Sequence, residues 1–222
     1  MCGRFLLHTP VDTLQRAFGF AERPNLRPRY NVAPTQTVPI VRREDGEGRE
    51  LALVRWGLIP SWAREAGIGN KLINARAETV AEKPAFRGAF RKRRALVPAD
   101  GFYEWRKREG DRLKQPLLIR RRDGEPFAFA GLWEHWRGPE GEVETCTILT
   151  TAANAVLAPI HDRMPVILDP ASYDRWLDPA QPGAEELLRP CPDEWLEAFP
   201  VGTRVNNVRN DVAELITPTN PA

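Results

Sequence analysis

The middle of the chain is a series of short apolar runs, each followed by a segment rich in turn-forming residues. The runs are "TVPIVRR", "ELALVRWGL", "RRALVPADGFYEW", "QPLLIRR", "PFAFAGLWEHW" and "ETCTILTTAA", and the segments between them include "EDGEG", "KREGDR", "RRDGE" and "GPEGE". This pattern is typical of strands joined by turns, and the first two runs predict a hairpin across "EDGEG". Strands therefore dominate the middle of the chain, and we expect an antiparallel, barrel-like sheet.

Helical signals are short and lie towards the two ends of the chain. Behind a first strand in "CGRFLL", Thr9 is predicted to cap a helix that has Pro10 in its first turn and ends near Gly19. "PASYDRWL", which follows Asp169, and "GAEELLR" predict two further short helical turns. The prediction is an α+β fold with peripheral short helices, in one domain over residues 1–222 whose last few residues form a flexible tail.

The chain has 222 residues, of which 42% are hydrophobic, and this is enough to build one sizeable core. The N-terminal "MCGRFLLHTPVD" does not resemble a signal peptide, and no apolar stretch approaches the length of a membrane span. We therefore expect a cytoplasmic protein with no membrane partner. Cys2, Cys146 and Cys191 fit neither a disulfide framework nor a zinc site, so no metal or other cofactor is expected.

Charged residues are unevenly distributed, although the net charge is only +2. Residues 55–94 contain ten Lys or Arg against three Glu, whereas residues 138–200 contain three Arg against twelve Asp or Glu. Of the 32 basic residues, 27 are arginine, the side chain best suited to bidentate contacts with phosphate. A polyanionic partner and a GC-rich coding sequence explain this bias equally well.

Cys2 lies directly after the initiator methionine, where a residue is normally unanchored. Removal of Met1 would leave Cys2 with a free α-amine and a thiol on adjacent carbons. Such an aminothiol condenses with an aldehyde, because the amine forms an imine and the thiol then closes a five-membered thiazolidine ring. The same residue could instead act as an N-terminal nucleophile in amide hydrolysis.

Either reaction needs groups that transfer protons or orient the substrate. Glu104, in "DGFYEW", lies among aromatic residues that would raise its pKa towards neutrality, and the alternative is an exposed strand carboxylate. His161, in "PIHDRMPV", is either a catalytic residue in an ordered loop or a structural histidine. Asn74, in "LINARAE", either orients a substrate group or caps the following turn.

Six segments of the chain together resemble a known family. In chain order they are "MCGRF", "RYNVAPTQ", "RWGLIPSW", "NARAET", "VPADGFYEW" and "IHDRMPVIL". Their order is similar to that in the SOS response-associated peptidase (SRAP) family, and the resemblance extends from Cys2 to about residue 216. It implies a single SRAP-type domain that senses and shields abasic sites in single-stranded DNA by trapping them covalently. The opened deoxyribose of such a site carries the aldehyde that the aminothiol chemistry requires.

The resemblance also implies roles for the matching residues. Cys2 would be the nucleophile, with its amine forming the imine and its sulfur closing the ring. Asn74 would position the N-terminus and the sugar, Glu104 would shuttle protons, and His161 would assist opening of the sugar and reversal of the crosslink. Weak abasic-site lyase activity is an expected side reaction, because an imine to the sugar can also lead to β-elimination.

The DNA contacts that the resemblance implies are arginines that hold phosphates near the lesion and apolar side chains that separate the flanking bases. Trp62 is one such wedge, and the chain lacks the second tryptophan that some members carry beside it. The basic segment "FRGAFRKRR" would extend the phosphate track, or form a solvated helix face. The partner is DNA bound by a monomer that associates with the nucleoid. The DNA-binding residues implied are Arg4, Pro34, Trp62, Arg76, Arg87 and Thr150.

Two other functions fit the sequence. Cys2 could cleave peptides, or only its bond to Met1, although no sequence feature marks an oxyanion hole or a peptide groove. Alternatively, the protein could be a non-covalent reader of modified DNA. Substitution of Cys2 by Ala separates these hypotheses, because only a reader would keep its function.

Overall fold

The structure is a computed structural model that describes residues 2–43, 48–107, 114–139 and 141–219. These ranges contain thirteen strands, three α-helices and seven short 3-10 helices. The strands are β1 (Phe5–Leu7), β2 (Arg29–Val32), β3 (Thr37–Arg42), β4 (Glu50–Trp56), β5 (Asn74–Arg76), β6 (Arg94–Ala99), β7 (Gly101–Arg106), β8 (Gln115–Arg121), β9 (Phe127–Gly138), β10 (Gly141–Ala152), β11 (Arg163–Pro165), β12 (Ile167–Leu168) and β13 (Leu196–Pro200). The α-helices are α1 (Val11–Phe18), α2 (Arg87–Lys92) and α3 (Tyr173–Leu177). The 3-10 helices are Ala66–Lys71, Ala77–Thr79, Pro170–Ser172, Ala184–Leu187, Asp193–Trp195, Thr203–Asn206 and Ala213–Ile216.

Five strands close into a barrel. β10 pairs with β4 on one side and with β9 on the other, so the path β10, β4, β3, β6, β9 returns to β10. The pairings within the barrel are antiparallel except β10 with β4, and β5 also joins β10 in parallel. The predicted α+β class and the barrel-like sheet are confirmed.

The hairpin predicted across "EDGEG" is confirmed by the pairing of β3 with β4, from Thr37 opposite Arg55 to Arg42 opposite Glu50. Residues 44–47 of its turn lie outside the described residues. β6 is buried at all six positions, because it lies in the barrel wall and α3 covers it from outside. Burial on both faces explains why its sequence is a continuous apolar run and not an alternating one.

A second sheet, in the order β13, β8, β7, β1, β2, packs against the barrel through β1. The ring of Phe5 on β1 makes edge contacts with Trp56 at 5.3 Å and with Phe129 at 5.9 Å, measured between ring centroids. Aromatic pairs of this geometry add to the stability gained by burial. The N-terminal strand is therefore built into the core, and Cys2 lies three positions before its anchoring ring.

The helix predicted behind Thr9 is present as α1, and Gly19, which follows its last residue, has a φ of 73°. The prediction that Thr9 caps this helix is wrong. The Thr9 hydroxyl donates to Asp100 at 2.7 Å, and the backbone amides of His8 and Thr9 donate to the same carboxylate at 2.5 and 2.8 Å. A buried carboxylate needs several donors, so this contact outcompetes the local cap and joins the end of β1 to the start of β7.

The helical turns predicted near the C-terminus are confirmed. Asp169 accepts a hydrogen bond from the Ala171 amide at 2.9 Å at the start of the 3-10 helix that precedes α3. The residues of "GAEELLR" form the 3-10 helix Ala184–Leu187. The last three residues of the predicted tail lie outside the described residues. Within the described ranges, no helix has the length and apolar character needed to cross a membrane.

Candidate active site

Cys2 lies three positions before the first residue of β1 and is completely buried. Beyond the strand itself, the pairing of β1 with β7 continues through the Tyr103 amide, which donates to the Arg4 carbonyl at 2.9 Å. This register brings the residues before Arg4 alongside Glu104. Burial raises the pKa of the Cys2 thiol, and the negative charge of Glu104 raises it further. The thiol and the carboxyl group therefore belong to one site.

Glu104 is the buried carboxyl group of this site, with only 4% of the residue exposed, so the alternative of an exposed strand carboxylate is wrong. Burial raises its pKa to about 7, because the charged form loses its hydration. The positive charge of Lys114 lowers this pKa, because it favours the carboxylate form. A carboxyl group with this pKa can both donate and accept a proton near neutral pH.

Asn74 lies on β5, which pairs with β10 so that Asn74 is opposite Ile148. Its side-chain amide donates to the carbonyls of Ile73 and Ile148 at 3.0 and 3.4 Å, so it does not cap the following turn. Its Oδ1 atom is buried and has no hydrogen-bond partner in the described part of the chain. Because buried acceptors are normally satisfied, this oxygen is suited to a donor from a bound group.

His161 follows β10 in a short loop, where its amide donates to the Leu157 carbonyl at 2.9 Å. Its Nδ1 atom lies 2.9 Å from the Arg163 amide nitrogen and 2.8 Å from a carboxylate oxygen of Asp162. Burial is the main cause that lowers the pKa of His161, and Lys114 lowers it further. The positive charge of Lys114 also lowers the pKa of Glu104, so Lys114 affects both of the residues predicted to transfer protons.

Three further residues, which the sequence did not predict, shape this site. Asp100 fixes the end of β1, as described above, and Arg163 joins the loop of His161 to Glu78 through two hydrogen bonds of 2.6 and 2.9 Å. All three lie inside segments that carry the family resemblance, namely "VPADGFYEW", "NARAET" and "IHDRMPVIL". Their positions in these segments were the available signal.

Arg4 and Thr150, two of the predicted DNA contacts, make contacts inside the protein. Arg4 donates to the Asn31 side chain at 2.7 Å and to the Val205 carbonyl at 2.8 Å. Both hydrogen bonds are donated by the same atom, Nη1. Thr150 is completely buried, and its hydroxyl donates to the Ala75 carbonyl at 3.4 Å. The geometry therefore places Thr150 beneath the surface, next to β5.

The other predicted DNA contacts are more accessible. Trp62 is 60% exposed and lines an open cavity of about 510 Å³ together with Arg64 and Lys71. Arg76 ends β5 and Arg87 begins α2, and both are exposed, whereas Pro34 is half-buried. These positions are compatible with the predicted contacts.

The three cysteines are all buried and carry free thiols. Across residues 2–43, 48–107, 114–139 and 141–219, no group of three or more His, Cys, Asp or Glu side chains is arranged to hold a metal ion.

The fold and the site define a class of protein: an α+β barrel protein in which a buried cysteine at the second position lies beside a carboxyl group that titrates near neutrality. The family model described as SOS response associated peptidase (SRAP) matches residues 1–208. The chain belongs to this family, as its six segments indicated.

Named relatives and a solved structure agree with this assignment. Abasic site processing protein YoqW of Bacillus subtilis (strain 168) is 44% identical over 223 residues, which cover 97% of this chain and 99% of the relative. Abasic site processing protein HMCES of Rattus norvegicus is 31% identical over 268 residues, which cover 98% of this chain and 76% of the relative. The X-ray crystal structure of a protein from Bacteroides thetaiotaomicron matches with a TM-score of 0.88 and 28% identity, over 99% of this chain and 100% of that chain.

Proposed function

We propose that this protein processes abasic sites in single-stranded DNA by capturing their aldehyde covalently at Cys2. The names of the relatives in Bacillus subtilis and Rattus norvegicus support the processing of abasic sites. The observation that carries the covalent step is the burial of Cys2 beside Glu104, a carboxyl group whose pKa is about 7. The proposal requires removal of Met1, so that Cys2 bears both an amine and a thiol.

The reaction releases one molecule of water and needs no cofactor. The Cys2 amine adds to the aldehyde carbon to give a carbinolamine, whose hydroxyl leaves with a proton as water to form the imine. The thiol then adds across the carbon–nitrogen double bond, so that sulfur bonds to carbon and the thiol proton ends on nitrogen. This second step is intramolecular, which makes it far more favourable than capture by a separate thiol.

The site supplies the proton transfers that these steps require. In its protonated form Glu104 gives a proton to the departing hydroxyl, and its carboxylate then takes the proton of the thiol. The buried Oδ1 atom of Asn74 accepts a hydrogen bond from the amine or from a sugar hydroxyl. His161 assists opening of the sugar and reversal of the crosslink, and β-elimination from the imine gives weak lyase activity.

Exposed basic and aromatic side chains support a single-stranded substrate. Arg76 and Arg87 offer phosphate contacts, and Trp62 offers a ring on which an unpaired base can stack. Stacking of this kind tolerates any base, as a protein that responds to a lesion requires. We propose that one copy of the chain binds the DNA in this way.

Intact-mass spectrometry tests the covalent proposal. The protein is measured before and after incubation with a single-stranded oligonucleotide that carries one abasic site. We expect a protein mass without Met1 that becomes the sum of protein and oligonucleotide less one water, without added reductant. Cys2→Ala should give no adduct, and an oligonucleotide with a tetrahydrofuran in place of the abasic sugar, which has no aldehyde, should give none with the wild type.

The same experiment separates the two alternatives. If Met1 is absent and the wild type forms no adduct, covalent capture is refuted. A non-covalent reader would then bind the tetrahydrofuran oligonucleotide equally well with Cys2 or with Ala at that position. A peptidase would instead cleave a peptide library only when Cys2 is present.

A further inference from the structure

A bidentate ion pair joins the segment that follows Asn74 to the segment that follows His161. Arg163 donates from Nη1 and Nη2 to the two carboxylate oxygens of Glu78 at 2.6 and 2.9 Å. The Arg163 side chain is only 14% exposed, so this pair is shielded from solvent on the arginine side. Planar two-bond pairing of this kind fixes the orientation of the guanidinium as well as its position.

The same guanidinium is also tied to the barrel. Its Nη2 atom donates to the Thr150 carbonyl at 2.6 Å, near the end of β10. β5, which precedes Glu78, and β11, which begins at Arg163, both pair with this end of β10. Arg163 therefore holds together its own strand β11, the end of β10 and the distant segment that carries Asn74 and Glu78.

The backbone of Arg163 sets the chemistry of His161. Its amide lies 2.9 Å from Nδ1 of His161, so in the neutral imidazole Nδ1 accepts this hydrogen bond and the ring proton is on Nε2. In the protonated imidazole, Nδ1–H instead faces the Asp162 carboxylate at 2.8 Å. The orientation of the ring and the position of its proton thus both depend on how Arg163 is held.

We propose that Glu78 is a positioning residue for His161: its carboxylate fixes the Arg163 guanidinium and offsets its positive charge, which keeps the imidazole oriented with its proton on Nε2. This inference rests on the proposed function, in which His161 moves a proton. Among the described residues, the charged groups that act on His161 are Asp162, Lys114 and Arg163, and of these only Asp162 favours the imidazolium. Without Glu78, the charge of Arg163 would no longer be offset.

The variant Glu78→Gln tests the proposal, with Glu142→Gln as the matched control. Glu142 is similarly exposed, at 55% against 51%, and also forms an ion pair with an arginine, Arg137 at 2.7 Å, but it lies at the opposite end of β10. Two quantities are measured for each variant: the rate of adduct formation at saturating DNA, and the affinity for the tetrahydrofuran oligonucleotide.

We expect Glu78→Gln to form the adduct about tenfold more slowly. This is the size of effect that the loss of one charged hydrogen-bonding partner produces. Its affinity for the unreactive oligonucleotide should be unchanged or higher, because a negative charge near the DNA has been removed. Glu142→Gln should match the wild type in both measurements. A wild-type rate for Glu78→Gln, or equal losses of rate and affinity, would overturn the proposal.

Nitrogen NMR of the imidazole rings gives a readout that does not depend on DNA. The chain has only three histidines, so the signals of His161 can be assigned by substitution. We expect Nε2 to carry the proton in the neutral ring of the wild type, and the pKa of His161 to fall in Glu78→Gln and to recover in Glu78→Asp. Protonation on Nδ1 in the wild type, or an unchanged titration in Glu78→Gln, would refute the assignment.

These two measurements also separate the inference from the proposed function. If the wild type forms no adduct, the proposed function fails, whereas the NMR titration still decides whether Glu78 controls His161. If the wild type forms the adduct and Glu78→Gln behaves like Glu142→Gln, only the inference fails.

Discussion

Glu104→Gln is expected to stabilise the folded protein at neutral and alkaline pH while slowing the proposed reaction. In the wild type, burial raises the pKa of Glu104 from 4.5 to about 7. The folded state therefore retains a proton at pH values at which the unfolded chain has lost it. Glutamine has nearly the same shape as the protonated side chain but does not ionise, so the variant avoids the cost of a buried charge.

The size and sign of the effect follow from the two pKa values. Below pH 4.5 the carboxyl group is protonated in both states, and its ionisation does not affect folding. Between pH 4.5 and about 7 only the unfolded chain ionises, so the wild-type free energy of unfolding falls by about 1.4 kcal/mol for each pH unit. Above that range the loss is complete, at about 3 kcal/mol. The variant lacks this titration, so the difference in the free energy of unfolding between the two proteins reports on it.

Urea unfolding of the two proteins from below pH 4.5 to above pH 7 measures this difference. The free energy of unfolding of Glu104→Gln, less that of the wild type, should rise by about 3 kcal/mol across the range. Glu142→Gln, which removes an exposed carboxylate, serves as the control. A difference that does not change with pH would refute the burial argument. In the same samples, adduct formation should slow more than DNA binding weakens, and equal losses would make Glu104 a structural residue.

Three further predictions concern binding, orientation and folding. Affinity for single-stranded DNA should fall as the salt concentration rises, because phosphate contacts release counterions. Arg76→Ala should reduce the slope of log affinity against log salt by about 0.7. An affinity that does not change with salt would exclude the phosphate contacts. Asn74→Leu should slow adduct formation about tenfold, because the buried acceptor Oδ1 is lost. Its affinity for the tetrahydrofuran oligonucleotide should be unchanged. An unchanged rate would show that Oδ1 takes no part in adduct formation. Asp100→Asn should lower the free energy of unfolding by about 2 kcal/mol in urea titrations, because a charged acceptor of three hydrogen bonds is lost; an unaltered midpoint would contradict its role in holding β1.

The local pattern of the sequence predicted most of the strands, but it could not predict how the barrel closes. Closure depends on β10, which pairs with β9 as a neighbour in sequence and with β4 from much earlier in the chain. The pairing of β10 with β4 is parallel, so no tight turn joins the two strands and no turn signal in the sequence indicates that they pair. Thr9 shows the same limit at the scale of one side chain, since its tertiary contact with Asp100 replaces the helix cap that local rules favour.

The burial of Glu104 could be anticipated because its aromatic neighbours are adjacent in sequence. The contact between Glu78 and Arg163 could not, because 85 positions separate the two residues along the chain. Arg4 illustrates a different limit, since residue type alone does not distinguish an arginine that holds phosphate from one that bonds to Asn31 and a distant carbonyl.

The burial of Cys2 bears on the order of the proposed steps. Because burial and the charge of Glu104 both raise the pKa of the thiol, it remains protonated at neutral pH and is a poor nucleophile at the start of the reaction. A terminal amine, with an ordinary pKa of about 8, is partly unprotonated under the same conditions and attacks the aldehyde first. When Glu104 has given its proton to the departing hydroxyl, it is in the carboxylate form that can take the proton of the thiol. One carboxyl group with a pKa of about 7 can therefore serve both steps in turn, and the thiolate forms only when the imine is ready to receive it.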